Sequence, residues 1–234
     1  MTWIYLIRHG CADTAGSDYD RLSLQGKKQA DLLADYLIKE DLNIKFFATG
    51  TLRRHIETSE PFLKLYVEKT TDLSPVRIPE MDEIDVKVWL GQMHKLKKED
   101  PEFPGLFEEW KALRSENHDA RKQFLRLTEK VVRSWAQDED RSELSFRAFH
   151  DRAAETIKKI PALGDEEACV IFSSAGPISV LVAKSLGIEG IAGLSFMQRL
   201  MNTSITLMKM ENGKLDLHTF NSTPHLPKSM RTLI

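Results

Sequence analysis

Trp3-Ile4-Tyr5-Leu6-Ile7-Arg8-His9-Gly10 is the stretch on which the reading of this chain turns. Five apolar residues in succession describe a buried strand that delivers a cation and an imidazole together into the loop after it. Gly10 lets the backbone turn sharply or approach a ligand closely, and Arg8 could hold an anion against the ring of His9 with planar, paired donors. The anion these residue types imply is a phosphoryl group. An Arg-His pair after a strand is also a common solvated loop, so the rest of the chain has to decide between the two.

Outward from that strand the pattern alternates. Leu22-Ser23-Leu24-Gln25-Gly26 leads into apolar positions at Ala30, Leu33, Ala34, Tyr36, Leu37 and Ile38, a helical spacing with Ser23 as N-cap. Ile44 to Thr49 reads as a second strand, and Leu52 to Leu65 as a second helix carrying Arg54, Glu57 and Thr58. Ala168 to Ser173 is a nearly continuous apolar strand, followed by a helix over Ile178 to Leu186 that could begin at Pro177. Ser204 to Met210 and Lys214 to Phe220 flank Glu211-Asn212-Gly213, a hairpin in which Asn-Gly accommodates positive φ. The β-α-β-α order predicts an α/β fold, a three-layer αβα sandwich around a mostly parallel sheet.

Between Gln92 and Asp140 the pattern changes. A charged stretch, Lys95-Leu96-Lys97-Lys98-Glu99-Asp100, precedes helical spacing through Trp110, Leu113, Phe124, Leu125, Val131, Val132 and Trp135. Residues 92–140 are therefore expected to form a helical insertion, a cap or flank with solvated charges, within one domain spanning 1–234.

The 234 residues are 29% charged and 41% hydrophobic, with a formal net charge of -2. That balance gives no electrostatic footprint for nucleic acid or an anionic membrane, so neither is expected as a partner. Cys11 and Cys169 are the only cysteines, too few for a disulfide framework and in keeping with a reducing compartment. No signal peptide or membrane-length apolar run is apparent, and a cytoplasmic location is expected.

Four segments together resemble the histidine phosphatase superfamily, also called phosphoglycerate-mutase-like. Arg8-His9-Gly10 matches its signature after the first strand, and Leu22-Ser23-x-x-Gly26-x-x-Gln29-Ala30 its entry into the first helix. Thr51-Leu52-Arg53-Arg54-His55-Ile56-Glu57-Thr58 resembles its Ser-Pro-Leu-x-Arg-Ala-x-Gln-Thr element, and Glu83-Ile84-Asp85-Val86-Lys87-Val88-Trp89-Leu90-Gly91 its Glu-x-x-x-Gly-x-Trp-Glu-Gly stretch. The resemblance implies His9 as nucleophile, Arg8 and Arg54 as phosphate-binding residues and Glu83 as proton donor, with Arg53 a solvated neighbour. Asp82 and Glu80 are the local alternatives to Glu83, and four carboxylates from Glu80 to Asp85 could also simply meet water. Trp89 is read as a packing residue.

The chemistry explains the set. His9 would offer a neutral nitrogen to phosphorus and form a phosphohistidine that water hydrolyses. Arg8 and Arg54 would neutralise and position the equatorial oxygens, and Glu83 would protonate the leaving alkoxide and then act as base toward water. No cofactor and no metal is implied, and His55, His94, His118, His150, His218 and His225 show no metal-ligand spacing, which leaves them as surface or packing residues.

The last segment departs from the pattern. The family's strand ends in Ser-His-Gly-Gly, where the histidine contacts the phosphoryl group; this chain has Ser173-Ser174-Ala175-Gly176-Pro177. Ser174 takes the position of that histidine and could donate one hydrogen bond to phosphate beside the free N–H groups of the following helix, or serve as an ordinary cap; Ser173 is the second choice. Lys87 and Leu90 depart as well. The sequence thus supports a hydrolase, a phosphatase acting on a small phosphorylated metabolite or a phosphoprotein, with activity reduced by the loss of one donor. Two other readings stand: a catalytically weak phospho-ligand-binding or regulatory module, and a phosphoglycerate-mutase-type transfer. No chemistry is assigned to Asn202 or to His225, read as a solvated terminal residue. Oligomeric state is open.

Overall fold

The computed structural model describes residues 1–13, 20–67, 73–112 and 118–233, with the side chains of 118–121 outside the description. The chain divides into two compact units, Met1–Glu83 with Arg152–Ile234, and Ile84–Asp151.

The first unit is built on one six-stranded sheet: β1 (Thr2–Arg8), β2 (Asn43–Thr49), β3 (Val76–Arg77), β4 (Glu167–Ser173), β5 (Ile205–Glu211) and β6 (Lys214–Ser222), in the order β3-β2-β4-β1-β5-β6. β3, β2, β4 and β1 run parallel, and β5 and β6 complete the sheet antiparallel. β4 lies at the centre and its last six residues are buried, which is why its sequence is a continuous apolar run. One set of alternate side chains, Ile7, Phe47, Ala168, Val170 and Phe172, packs with Leu33, Leu37 and Phe62 from helices α1 (Leu24–Lys39) and α2 (Arg53–Val67). The other set, Ile4, Leu6, Cys169 and Ile171, is buried as well.

Most elements fall where the sequence places them. Ser23 caps α1, its hydroxyl accepting the Gly26 N–H. The β5–β6 turn uses Asn212 and Gly213 at φ 50° and 76°. The helix after β4 is longer than expected, running Ala175–Ser185, with Pro177 inside its first turn rather than at its start. The two-residue β3 had no legible strand pattern.

The second unit contains α3 (Val86–Glu99), α4 (Phe103–Ala112), α5 (His118–Ala136) and the start of α6 (Phe146–Lys159); the expected insertion 92–140 lies inside its bounds. Leu96, Phe103, Leu106, Leu127 and Val131 form its core, with Trp89 and Trp110 packed against them. The charged run at Lys95 is the last turn of α3, where Lys97 and Lys98 complement the helix dipole. The helix after β4 is α7. No single helix among the described residues is long and apolar enough to cross a membrane.

Candidate active site

The carboxyl ends of three parallel strands supply the site. Arg8 and His9 leave β1, the segment from Gly50 to Arg54 leaves β2, and Ser173 and Ser174 leave β4, so adjacent strands place their loops side by side.

His9 is almost wholly buried, and main-chain groups together with the Asn202 side chain hold it in place. Its N–H donates to the Ser173 carbonyl at 2.9 Å, and its carbonyl accepts from the Thr203 N–H and Asn202 Nδ2, both at 3.2 Å. Nδ1 stands 2.7 Å from the Gly10 carbonyl, which can only accept, so Nδ1 carries the proton and Nε2 keeps its lone pair. Burial, with the charges of Arg54 and Arg8, holds the ring's pKa well below the ordinary histidine value. His9 is therefore a neutral imidazole with its lone pair on Nε2.

The next turn depends on close backbone approach. A Cβ on Gly10 would lie 2.7 Å from the Gly26 carbonyl oxygen, and one on Gly26 would lie 2.1 Å from that of Cys11. Gly10 N–H donates to Thr58 Oγ1 at 3.0 Å, and Cys11 N–H to Gln29 Oε1 at 2.8 Å.

The two arginines differ. Arg54, on the first turn of α2, is buried and pairs through Nη1 with Asp20 Oδ1 at 2.7 Å, while Asp20 Oδ2 accepts the Arg53 N–H at 2.8 Å. A carboxylate thus already sits at the positive end of α2, on ground suited to an anion. Arg8 donates through Nη1 to the carbonyls of Leu200 and of Leu233, the latter at 2.7 Å. Its charge reaches the His9 ring, but these donors serve the main chain. Arg53 is half-exposed and pairs with Glu57 at 2.7 Å.

The acidic loop sorts its carboxylates by partner. Glu83 Oε2 accepts the Gly176 N–H at 3.2 Å, which puts it at the start of α7 beside Ser174. Asp82 accepts the N–H and hydroxyl of Thr51. Glu80 pairs with Lys159 at 2.8 Å; although burial pushes its carboxyl up, the bond to Lys159 holds it below the usual value. Asp85 caps α3 through Lys87 N–H at 2.8 Å. Arg152 fastens the loop by donating to the carbonyls of Pro79 and Asp82 at 2.6 and 2.9 Å. Of the three carboxylates considered as the acid, Glu83 is the one joined to the β4–α7 turn.

Ser173 and Ser174 have different duties. Ser173 Oγ donates to the Met81 carbonyl at 2.7 Å, which ties β4 to the acidic loop. Ser174 occupies the N-cap position of α7, yet its hydroxyl makes no capping bond, because Oγ lies 2.6 Å from His55 Nε2.

His55 was missed from sequence. It is fully buried, and its ring centroid is 5.8 Å from that of His9 with 32° between the planes. The available signal was its place after Arg54, where the family element has alanine. His225 is also not a solvated residue: it is half-buried, bonded to Thr203 Oγ1 at 2.9 Å, and burial takes its pKa down to about 4. His94 and His218 are exposed, and the side chain of His118 lies outside the described residues. Among the described residues no three His, Cys, Asp or Glu side chains are placed to hold a metal ion.

Comparison with known proteins gives the family of the chain. The family model for the histidine phosphatase superfamily (branch 1) matches residues 4–143 and 107–223. The chain belongs to the histidine phosphatase superfamily. Solved structures of similar fold include a mutant phosphoserine phosphatase from Entamoeba histolytica in complex with phosphoserine, with 22% identity over 97% of this chain and 100% of that one at a TM-score of 0.61. Bacillus stearothermophilus YhfR is 19% identical over 96% and 99% of the two chains, TM-score 0.61. A mycobacterial glucosyl-3-phosphoglycerate phosphatase in complex with VO3 is 19% identical over 94% and 99%, TM-score 0.60. At these identities the likeness establishes the fold. No curated protein matches the chain in sequence.

Proposed function

We propose that the chain is a phosphomonoester hydrolase that works through a phosphohistidine at His9 on a small phosphorylated metabolite or a phosphoprotein. The observation that carries this reading is the state of His9: buried, neutral, with Nδ1 committed to Gly10 and Nε2 left as the nucleophile.

In the first step the Nε2 lone pair attacks phosphorus and the bond to the ester oxygen breaks, while the protonated Glu83 carboxyl gives its proton to the departing alkoxide. In the second, Glu83 takes a proton from water, the hydroxide oxygen bonds to phosphorus, and the P–N bond breaks to return neutral His9 and inorganic phosphate. Arg54 binds the equatorial oxygens, with the charge of Arg8 beside the ring, which suits a loose transition state that needs positioning and charge more than covalent help. The phosphatases among the proteins of similar fold support the reaction class.

Hydrolysis of an aryl phosphate tests the proposal. His9→Ala is expected to lower kcat by about 10⁴-fold or more, and rapid acid-free quenching of the wild type should trap a phosphoenzyme labile to acid and stable to alkali. Equal turnover by wild type and His9→Ala would sink the covalent route.

A further inference from the structure

His55 is a buried titratable group that the steps above leave unused. It lies on α2 directly after Arg54, its ring faces that of His9, and Nε2 is 2.6 Å from Ser174 Oγ. Nδ1 is buried without a hydrogen-bond partner, and Asp82 Oδ1 stands 3.7 Å away. Room for this pair comes from Gly50, where a Cβ would lie 2.2 Å from His55 Nδ1 and 2.5 Å from Asp82 Oδ1. A hydroxyl is thus bonded to an imidazole that has a carboxylate near its other nitrogen and the His9 ring 5.8 Å from its own.

Resting on the reading of His9 as a phosphoryl acceptor, we propose that His55 and Ser174 act as one unit, in which His55 takes up a proton as a phosphoryl group enters and Ser174 presents the resulting donor to it. The facing carboxylate of Asp82 favours the proton on Nδ1 before a ligand arrives, so Nε2 accepts the Ser174 hydroxyl hydrogen and that hydrogen is not offered elsewhere. When a phosphate monoanion arrives, its proton moves to Ser174 Oγ while the Ser174 hydrogen moves to His55 Nε2. Charge balances: the ligand becomes a dianion and His55 an imidazolium. Nε2–H now donates to Oγ, and the Ser174 hydroxyl donates to the phosphoryl oxygen, a charge-assisted bond transmitted through one hydroxyl.

The groups facing His55 set the direction. Burial opposes the proton, and Arg54 on the same helix adds to it, which holds the ring's pKa well below the ordinary histidine value. Asp82 from the acidic loop favours the proton, and His9 from the end of β1 is neutral. The balance lies against protonation until a dianion is added next to Ser174. His55 is then a positioning residue, acting through Ser174.

The test is a titration of the wild-type protein with inorganic phosphate, followed by imidazole ¹⁵N NMR. The expected result is a ligand-linked change of His55 from the neutral to the imidazolium pattern, together with a perturbation of His9, and no such change at His55 in Ser174→Ala. His55→Gln can keep a hydrogen bond to Ser174 but cannot take the proton. It and Ser174→Ala are each expected to weaken phosphate binding about tenfold at pH 6, with the double variant no weaker than either. If phosphate perturbs His9 while His55 stays neutral, this inference fails and the reading of His9 stands. If phosphate leaves His9 unperturbed, both fail.

Discussion

The two sides of the His9 ring are held by different kinds of bond. On the β1 side the fixing groups are mostly main chain: the carbonyls of Ser173 and Gly10, the Thr203 N–H, and glycines that let Gly10, Cys11 and Gly26 lie almost in contact, with the Asn202 side chain adding a bond to the His9 carbonyl. On the facing side they are side chains: Asp20 on Arg54, Asp82 near His55, and His55 on Ser174. A backbone frame admits no exchange of residue without moving the chain, whereas a side-chain frame can trade one group for another if the volume and polarity remain. On that second side a hydroxyl at the end of β4 and an imidazole from α2 meet directly.

The sharpest way to break the contrast is at Arg54. Arg54→Ala, removing the buried guanidinium at the head of α2, should lower kcat/KM on an aryl phosphate by about 10²–10³-fold, read by steady-state kinetics. A loss below fivefold would mean that the side-chain frame does not hold the phosphoryl group. The backbone side should fail through folding. Gly26→Ala drives a Cβ to 2.1 Å from the Cys11 carbonyl and should cost about 3 kcal/mol or more in urea unfolding, against a few tenths for alanine at an unconstrained site.

A pH series sharpens the comparison across both sides. His9, His55 and His225 are all held below the ordinary histidine value by burial. The unfolded chain binds more protons than the folded one below about pH 6.5, so stability should be flat above that value and fall as the medium is acidified. The part due to His225 is confined between about 6.5 and about 4, and His225→Gln should remove about 2 kcal/mol of that loss, less than the shift alone gives because the ring is part-exposed. Thermal unfolding against pH measures this; a melting temperature that rises on acidification would overturn it. The smallest effect belongs to Arg53, whose exposed pair with Glu57 should be worth no more than about 0.5 kcal/mol when Arg53 becomes Ala.

The same contrast explains what the sequence could tell. Strands β1 and β4 are legible because burial on both faces forces a continuous apolar run, and His9 is legible because it follows one of them at a glycine. Arg54 and Glu83 needed the family's spacing, since an arginine on a helix and a glutamate among four acids carry no local mark of burial. His55 and Asp20 were invisible for a further reason: their partners, Ser174 and Arg54, are 119 and 34 residues away, and a long-range side-chain bond leaves no periodicity. Ser174 stands at the turn between β4 and α7, and its bond runs to an imidazole rather than to the helix it begins.

The final residues have a consequence of a practical kind. Met230 and Leu233 offer their carbonyls to Gln29 and Arg8, and the Thr232 hydroxyl bonds with Gln29 and Asn202; Arg8 precedes His9, Asn202 bonds its carbonyl, and Gln29 accepts the Cys11 N–H. Residues 230–233 are thereby part of the brace around His9 rather than a trailing edge. A cut ahead of Met230 would remove the carbonyls that hold Gln29 and Arg8 and so change the frame on which the imidazole is mounted.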